Sequence, residues 1–433
     1  MGLPLLTVRR SLLVASGLES RGFFCEDWVV LRRAFLLTSN RSLTHHIALL
    51  LPLLAIGGCS TFEDFLDTVR GQNEGRERVM PLERRPMEEP LARNYFVLES
   101  PEQSVIGAPQ IVLARSEDTL SDLAREYGLG YDELIAANPG VDPWLPGENT
   151  PVLLPTQYVV PDVPRTGVVL NIASKRLFYF PSVADGQLQV VQTYPIGIGR
   201  VGWETPLGGT TVIAKAMNPS WYVPASVRRE HAEMGDPLPA VVPPGPDNPL
   251  GTRVLKLGMP GYLIHGTNQP YGVGMRVSHG CVRLYPENIE VLYSLVEIGE
   301  TVMIINEPFL LGQLGDEVYF ESHEPLEDDL ISPDDRLDEL FGINDAEPGL
   351  ALRQNDKEQI RSVASLSNGV VVRVSRHDVD EVFDRARLVR NTVEPDPNAP
   401  TLAEVRDMMD EALLEKAREE TATEAMPTGR QSL

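Results

Sequence analysis

The sequence predicts a mainly β protein, in which a sandwich or barrel of short strands follows a small β-α-α-β unit and precedes an acidic tail. Three observations support this class. Between Gly167 and Asn306, apolar and polar residues alternate in short runs separated by Gly and Pro, as in strands joined by turns. Residues Gln110 to Pro155 show helical spacing between two short apolar runs. Beyond Phe309 the composition becomes strongly acidic.

One helix is expected within the central region. It begins with Pro286 in its first turn and places Ile289, Leu292, Leu295 and Val296 at helical spacing. The expected strands are Val168–Ile172, Leu177–Phe180, Leu188–Tyr194, Thr211–Ala214, Val254–Leu257, Tyr262–His265 and Thr301–Ile305.

The overall composition excludes some classes of protein. The chain has 433 residues, with 38 Lys plus Arg against 62 Asp plus Glu and a net charge of −24. This length is sufficient for two or three domains. Because a net negative charge opposes the counterion release on which nucleic-acid binding depends, DNA and RNA are not expected partners. No apolar run approaches the roughly 18 residues that a transmembrane helix needs.

The N-terminal region has the pattern of an export signal. An apolar run from Ile47 to Gly58 follows several basic residues and ends directly at Cys59. Gly57-Gly58-Cys59 resembles the lipoprotein box of bacteria, so we expect residues 1–58 to be an N-terminal extension with a signal peptide and Cys59 to be lipidated. Ser60 favours sorting to the outer membrane, which predicts a lipid-anchored periplasmic protein. A buried core helix is the alternative.

Residues 59–95 are charged and poor in aliphatic residues, and we interpret them as a linker. The β-α-α-β unit over residues 96–157 resembles a LysM module, with Glu117-Asp118-Thr119-Leu120 before its first helix and Ala137-Asn138-Pro139 ending the second. Such modules bind the glycan strands of peptidoglycan. A purely structural spacer is the alternative.

The acidic tail, residues 309–433, is expected to be largely disordered. Residues 311–433 contain 29 acidic and 13 basic residues, so they carry most of the negative charge. A helix over 401–420 is the exception, because a Thr401-x-x-Glu404 capping box precedes its apolar stripe. We therefore expect truncation after Glu307 to leave the catalytic domain, predicted at 160–308, intact.

The chemistry-bearing residues cluster around one thiol. If Cys59 carries lipid and Cys25 is removed with the signal, Cys281 is the remaining cysteine, and His265 and His279 lie within seventeen residues of it. A cysteine nucleophile needs a base, and either histidine could supply it. If Ser278–Arg283 is extended, His279 shares a face with Cys281, whereas His265 reaches across from another strand.

Neighbouring residues fit the same chemistry. Gly280 allows backbone N–H groups to approach an oxyanion, and Arg283 offers a fork for a carboxylate. Two alternatives compete: a small buried thiol without function, and zinc bound by His265, His279 and Cys281 without a recognisable fourth ligand. The run Gly197-x-Gly199-x-x-Gly202 fits a dinucleotide fingerprint, but the residues after it cannot begin the helix that the fingerprint requires.

His265-Gly266, followed by a loop and Ser278-His279-Gly280-Cys281-Val282-Arg283, resembles the signature of the L,D-transpeptidases, whose catalytic domain is the YkuD-type β sandwich. The resemblance is greatest to the periplasmic enzymes that attach the outer-membrane (Braun) lipoprotein to peptidoglycan. Further similar segments are Asn138–Pro146, Tyr194–Gly199, Asn218–Trp221, Pro239–Pro243 and Asp247–Gly251.

The resemblance implies a role for each site residue. Cys281 is the nucleophile, His265 the proton donor and acceptor, and the backbone carbonyl of Gly266 orients the imidazole. His279 and Gly280 belong to the oxyanion region, which overrides the same-face expectation. The residues implied to bind substrate are Arg283, Tyr262, Thr267 and Ser278. No cofactor and no metal is implied.

The implied reaction is acyl transfer on peptidoglycan. A Cys281 thioester forms with a tetrapeptide stem, D-alanine leaves, and an amine takes the acyl group. That amine is a lipoprotein lysine or a second diaminopimelate, which gives a 3-3 crosslink. Two alternatives remain: a carboxypeptidase with water as acceptor, and a non-catalytic peptidoglycan-binding lipoprotein. The expected partners are peptidoglycan stem peptides and glycan, a lipoprotein acceptor, and the membrane through Cys59.

Overall fold

A computed structural model of the chain describes residues 82, 85–184, 186–346, 352–366, 368–374 and 379–392. Residues 1–58, Cys59, most of the predicted linker and the predicted helix at 401–420 lie outside the described residues. The helices are α1 Leu120–Glu126, α2 Tyr131–Ala137, α3 Ala225–Glu233, α4 Pro286–Leu295, α5 Pro333–Ala346, α6 Gln354–Ala364 and α7 Val379–Arg385. No helix among the described residues has the length and apolarity needed to span a membrane.

The strands follow in chain order. They are β1 Tyr95–Val97, β2 Val105–Gly107, β3 Gln110–Leu113, β4 Pro151–Leu154, β5 Gln157–Val159, β6 Gly167–Asn171, β7 Arg176–Phe180, β8 Val190–Pro195, β9 Ile198–Gly199, β10 Gly208–Met217, β11 Trp221–Tyr222, β12 Val241–Val242, β13 Arg253–Leu257, β14 Leu263–His265, β15 Arg276–Ser278, β16 Val282–Arg283, β17 Thr301–Ile305, β18 Phe309–Leu314, β19 Glu317–Ser322, β20 Val372–Arg373 and β21 Arg387–Val389.

A nine-stranded sheet lies at the centre, in the order β1-β8-β7-β6-β17-β10-β13-β14-β16. Its neighbours are antiparallel except for two parallel pairs, β6 with β17 and β14 with β16. Successive residues of β6 point to opposite faces. Leu170 packs in an apolar cluster with Leu292 of α4, and Val169 packs in a second cluster with Leu134 of α2. The sheet is thus covered on both faces, and the predicted mainly β class is confirmed.

Each of the seven predicted strands is present, and Thr301–Ile305 has the predicted bounds. The predicted helix is α4, which ends at Leu295. A second helix of this region, α3, was not predicted. Its side chains are mostly polar and Val227 is its one buried residue, so it lacks the apolar stripe that identifies a surface helix in a sequence.

The β-α-α-β unit has the predicted elements β3, α1, α2 and β4. Thr119 caps α1 and forms a capping box with Asp122. Asn138 ends α2, where its side-chain oxygen accepts from the Leu153 N–H at 2.7 Å and its amide donates to the Leu134 carbonyl at 2.8 Å. One predicted boundary needs correction, because β1 pairs with β8 and so belongs to the central sheet rather than to the linker or the 96–157 module.

The prediction of a largely disordered tail is corrected over the described residues 309–346, 352–366, 368–374 and 379–392. Strands β18, β19 and β20 form an antiparallel sheet, against which α5 and α6 pack. Most charged residues of this region are exposed and its core is formed mainly by apolar residues, such as Phe320, Leu337 and Ile360, although Glu321 and Asp356 are also buried. The average composition of the whole tail does not reveal these buried apolar residues. The predicted domain boundary at residue 308 lies between β17 of the central sheet and β18 of this second sheet.

The C-terminal region also completes the LysM-like unit. Strand β21 pairs in parallel with β3, and Glu88 bridges to Val389 on the other side of β21. Ile111 and Leu153 of the unit pack in one apolar cluster with Phe309 and Phe320. The C-terminal region and the LysM-like unit therefore share a hydrophobic core.

Candidate active site

The candidate site lies at the end of the central sheet where β14 and β16 run in parallel. Ile264 pairs with Val282, and His265 pairs with Arg283. Ile264 and Val282 both point into the apolar core. Because side chains alternate along a strand, His265, Cys281 and Arg283 all lie on the opposite face. The fold thus brings together three residues that the sequence separates by up to eighteen positions.

The His265 imidazole is buried and held in one orientation. Its Nδ1 lies 2.5 Å from the backbone carbonyl oxygen of Gly266. A carbonyl only accepts, so Nδ1 carries the proton and Nε2 has a free lone pair. Burial, followed by the nearby positive charge of Arg283, lowers the pKa of His265 to about 3. The imidazole is therefore neutral at physiological pH and can accept a proton.

The Cys281 thiol is half-buried next to the end of β16. Its Sγ lies 3.6 Å from the carbonyl oxygen of Gly261. Burial raises the pKa of the Cys281 thiol, and this effect outweighs the backbone contact at Leu263 and the charge of Arg283, which both lower the pKa. The resting site therefore holds a neutral thiol and a neutral imidazole rather than a thiolate and an imidazolium.

A sharp turn at Gly280 presents the thiol. Gly280 has a φ of +97°, and a Cβ there would lie 2.8 Å from the Tyr262 ring, so only glycine fits. Ser278 Oγ accepts from the Gly280 N–H at 3.1 Å and donates to the Cys281 carbonyl at 2.5 Å. The Thr205 hydroxyl donates to the Gly280 carbonyl at 3.0 Å. Tyr262 and Ser278 thus contact the backbone that carries the nucleophile.

His279 lies in a different environment from the one that an extended chain predicts. The bend at 279–280 interrupts the strand, so alternation along Ser278–Arg283 does not apply. Its Nε2 lies 2.7 Å from Glu230 Oε2 on α3, and Arg200 pairs with the same carboxylate. The Trp203 ring packs edge-on against His279, with centroids 4.8 Å apart.

Sequence reasoning missed Glu230 and Arg200, because neither belongs to a motif and Glu230 lies 49 positions from its partner His279. Burial lowers the pKa of His279, although the Glu230 carboxylate opposes that shift. Neither residue could have been found from local spacing. Glu230 reaches His279 only because α3 packs against the bend at 279–280, which is distant in the sequence.

Arg283 is a cation without a counter-ion. Its Nε is buried without a hydrogen-bond partner, and within the described parts of the chain no carboxylate lies within ion-pair distance of its guanidinium. The guanidinium lies near Gly272 and is close enough to Tyr271 and Cys281 to affect their titration. A half-buried guanidinium with no carboxylate partner among the described residues is suited to bind a carboxylate of an incoming molecule.

Thr267, the remaining predicted residue, is buried where the chain leaves His265. Its hydroxyl accepts from the Gln269 N–H at 2.9 Å and so shapes the start of the loop that leads towards Arg276. The described residues contain no group of three or more His, Cys, Asp or Glu side chains placed to share a metal ion. The predicted catalytic and substrate-binding residues lie at or beside one edge of the sheet, whereas the predicted lipidation residue Cys59 lies outside the described residues.

A β sheet that presents a thiol, a neutral imidazole and an unpaired guanidinium on one face is the arrangement of a cysteine-dependent acyl-transfer enzyme. The YkuD profile, the L,D-transpeptidase catalytic domain, matches residues 165–305, and the LysM domain profile matches residues 114–143.

Relatives of known family support the same class. The probable L,D-transpeptidase YcfS of Escherichia coli K12 is 38% identical over 273 residues, which cover 62% of this chain and 84% of that protein. The probable L,D-transpeptidase YbiS of the same organism is 41% identical over 226 residues, which cover 51% of this chain and 72% of that protein. At these identities and coverages, the chain belongs to the L,D-transpeptidase family. Among solved structures, an L,D-transpeptidase from Mycobacterium smegmatis has a TM-score of 0.25 at 22% identity and covers 32% of this chain and 58% of its own.

Proposed function

We propose that the protein is a peptidoglycan L,D-transpeptidase that acts in two acyl-transfer steps in the periplasm. The observation that carries this proposal is the neutral His265 imidazole, oriented by Gly266 on the same face of the sheet as Cys281. A base that is neutral and oriented before substrate arrives can take the thiol proton as the sulfur attacks.

In the first step Cys281 Sγ attacks the carbonyl between the L-centre of meso-diaminopimelate and the terminal D-alanine of a tetrapeptide stem. His265 Nε2 takes the thiol proton and passes it to the departing amine of D-alanine. The C–N bond breaks and a Cys281 thioester remains. In the second step an acceptor amine attacks the thioester, His265 takes its proton, and the proton returns to the departing sulfur.

The charges of the site favour proton transfer during the attack rather than a thiolate formed in advance. The pKa of Cys281 is raised and that of His265 is lowered, so the proton rests on sulfur in the free enzyme. Positioned general-base catalysis of this kind contributes about 10²- to 10⁴-fold to a rate. His265 fits that role better than His279, whose Nε2 is held by Glu230.

The turn at Gly280 supports the developing oxyanion. Its own N–H already donates to Ser278, which fixes the backbone ahead of Cys281. We assign His279 and the backbone around Gly280 to the oxyanion region, with the Glu230 carboxylate keeping the imidazole in place. Donors fixed in advance are the form of stabilisation that is most effective in such sites.

Arg283 is assigned to a carboxylate of the donor stem. The guanidinium is half-buried, without a counter-ion among the described residues, and next to the thiol, so a bound carboxylate replaces no existing ion pair. Thr267 and Tyr262 shape the same side of the site. The LysM domain accounts for glycan binding, which holds the stem peptide near the thiol.

The acceptor amine belongs to a lipoprotein lysine or to a second diaminopimelate; water as acceptor gives the carboxypeptidase alternative. Lipidation of Cys59 completes the proposal by anchoring the enzyme, in the outer membrane, within reach of the wall. Cys59→Ser should move the protein from the membrane fraction to the soluble periplasmic fraction. Persistence in the membrane fraction would refute the anchor and leave the catalytic assignment untouched.

Tetrapeptide muropeptides incubated with the purified protein test the reaction, with mass spectrometry reading D-alanine release and acyl transfer. Reactions with and without an added peptide that has a C-terminal lysine distinguish a lipoprotein lysine from a second diaminopimelate as the acceptor. Hydrolysis without transfer identifies the carboxypeptidase. Cys281→Ala should abolish release and acylation by a carbapenem. His265→Ala should lose far more activity than His279→Ala. Equal losses, or the reverse order, would return the role of base to His279.

A further inference from the structure

The loop from Thr267 to Val277, here called the donor loop, is fastened near its end by Arg276. The Arg276 guanidinium makes a bidentate contact with Asp328, at 3.0 and 2.9 Å, and its Nη1 lies 2.5 Å from Glu327 Oε2. Its Nε donates to the Gly199 carbonyl at 3.1 Å. The Arg276 side chain is 11% exposed and that of Asp328 is 25% exposed, so their contact is partly shielded from water, whereas the Glu327 side chain is 75% exposed.

Gly199 connects this clamp to the nucleophile. A Cβ at Gly199 would lie 3.0 Å from the Gly280 Cα, so the two backbones are in direct contact. The Gly199 N–H donates to the Thr205 hydroxyl at 3.1 Å, and that hydroxyl donates to the Gly280 carbonyl. A displacement of Arg276 is therefore transmitted through Gly199 to the turn that presents Cys281.

The carboxylates of the clamp are themselves held in place by the C-terminal region. Leu326 packs on the apolar core of the central sheet. Asp329 accepts from the Asn306 amide at 3.0 Å and pairs with Arg336 on α5 at 2.8 Å. Arg276 in turn holds the pKa of Asp328 below its ordinary value, so that carboxylate is ionised near neutrality. The segment Leu326–Asp329 is thus a fixed support.

The middle of the donor loop rests on the LysM-like unit. The Tyr131 N–H at the start of α2 donates to the Val273 carbonyl at 3.2 Å. A Cβ at Gly274 would lie 2.4 Å from the Gly130 Cα, so the two chains meet backbone to backbone. Two elements outside the strands that carry the thiol therefore position one loop of the site.

We propose that Asp328, together with Glu327, is a positioning residue for acyl transfer: through Arg276 and Gly199 it sets the geometry of the donor loop and of the Gly280 turn. The C-terminal region is then part of the catalytic unit, although it contributes no reacting group. The catalytic readout of this inference rests on the proposed function. A misplacement of about 1 Å in such a site can cost about 10²-fold in rate.

The test compares the full-length double variant Asp328→Asn with Glu327→Gln against Asp345→Asn, which removes a carboxylate from the exposed Lys357–Asp345 pair of the same region. The clamp variant should lose about tenfold in kcat/KM for D-alanine release, mainly through KM, while the control stays within twofold of the wild type. Adding Arg276→Gln should cause little further loss, because all three changes break one clamp.

Two readouts do not depend on turnover: amide hydrogen exchange of residues 267–277, and the alkylation rate of Cys281 by iodoacetamide at one pH. Both should change in the clamp variant and not in the control. If the wild type releases no D-alanine but these readouts change, the proposed function fails and the clamp stands. If the wild type is active and the clamp variant matches the control in kcat/KM, exchange and alkylation, the positioning role is refuted.

Discussion

Replacing Arg176 with methionine should destabilise the protein by about 3–5 kcal/mol, because the change breaks a buried ion pair on one side only. Arg176 is 1% exposed and its Nη2 lies 2.6 Å from Glu133 Oε2, which is itself 8% exposed. The guanidinium also lies 3.9 Å from the centroid of the Tyr158 ring. Methionine fills much of the volume but leaves the Glu133 carboxylate buried without a counter-ion.

Urea unfolding of the full-length protein measures the loss, and a double-mutant cycle assigns it. Glu133→Gln should also destabilise, since it leaves Arg176 unpaired. The double variant should lose at least about 2 kcal/mol less than the sum of the two single changes, because it leaves no buried charge behind. Arg93→Met is the control: it breaks the Arg93–Glu126 pair, whose side chains are 51% and 25% exposed, and should cost less than about 1 kcal/mol.

The reasoning is refuted if Arg176→Met costs no more than Arg93→Met, or if the two changes at Arg176 and Glu133 are additive. Either result would mean that water or a rearranged side chain compensates the remaining charge. The pair joins β7 of the central sheet to α2 of the LysM-like unit. A confirmed coupling would therefore show how strongly the LysM-like unit is held against the sheet that carries the candidate site.

Four further predictions concern the site and the C-terminal region. The alkylation rate of Cys281 should keep rising with pH beyond the ordinary thiol range, because burial raises its pKa; a plateau near neutrality would show a preformed thiolate. His265 should destabilise the protein as pH falls from about 6.5 towards 3, since the unfolded chain binds a proton that the folded imidazole rejects; a His265→Gln variant whose urea stability falls equally over that range would contradict this. Glu230→Gln should lower the rate of D-alanine release about tenfold by loosening His279, whereas Glu233→Gln on the exposed side of the same helix should not; equal rates would remove Glu230 from the site. Truncation after Glu307 should yield protein that aggregates or melts well below the full chain, because it uncovers the apolar cluster shared with the LysM-like unit; a monomeric truncated protein with unchanged Tm would refute that dependence.

The spacing of apolar and polar residues was sufficient to predict the elements whose structure is determined by residues close in the sequence. Helix α2 ends at Ala137 as predicted and strand β17 has the predicted bounds, because each combines an apolar period with a clear stop at its end. The placement of His265 and Cys281 on one face also follows from short-range alternation, once the two strands are neighbours. That the two strands are neighbours came from the resemblance to a family, not from the spacing of the residues.

Three features could not be derived in this way. The same-face expectation for His279 failed because Gly280 adopts a left-handed φ, which ends the extended chain that the expectation assumed. The folded C-terminal region was missed because its apolar residues are dispersed among many carboxylates. The Arg276–Asp328 clamp joins positions 52 residues apart. An ion pair between distant segments produces no recurring spacing by which it could be recognised in a sequence.

The pairing of Glu88 with β21 has a mechanical consequence. The Glu88 N–H donates to the Leu388 carbonyl at 2.8 Å, the Arg390 N–H donates to the Glu88 carbonyl at 2.9 Å, and the Glu88 carboxylate pairs with Arg387. The segment at Glu88 therefore runs beside β21, the last strand among the described residues. Tension applied ahead of Glu88 reaches β21 and the LysM-like edge before it reaches the central sheet. The pairing of Glu88 with β21 would therefore separate first under tension, and the arrangement of residues around Cys281 would be preserved.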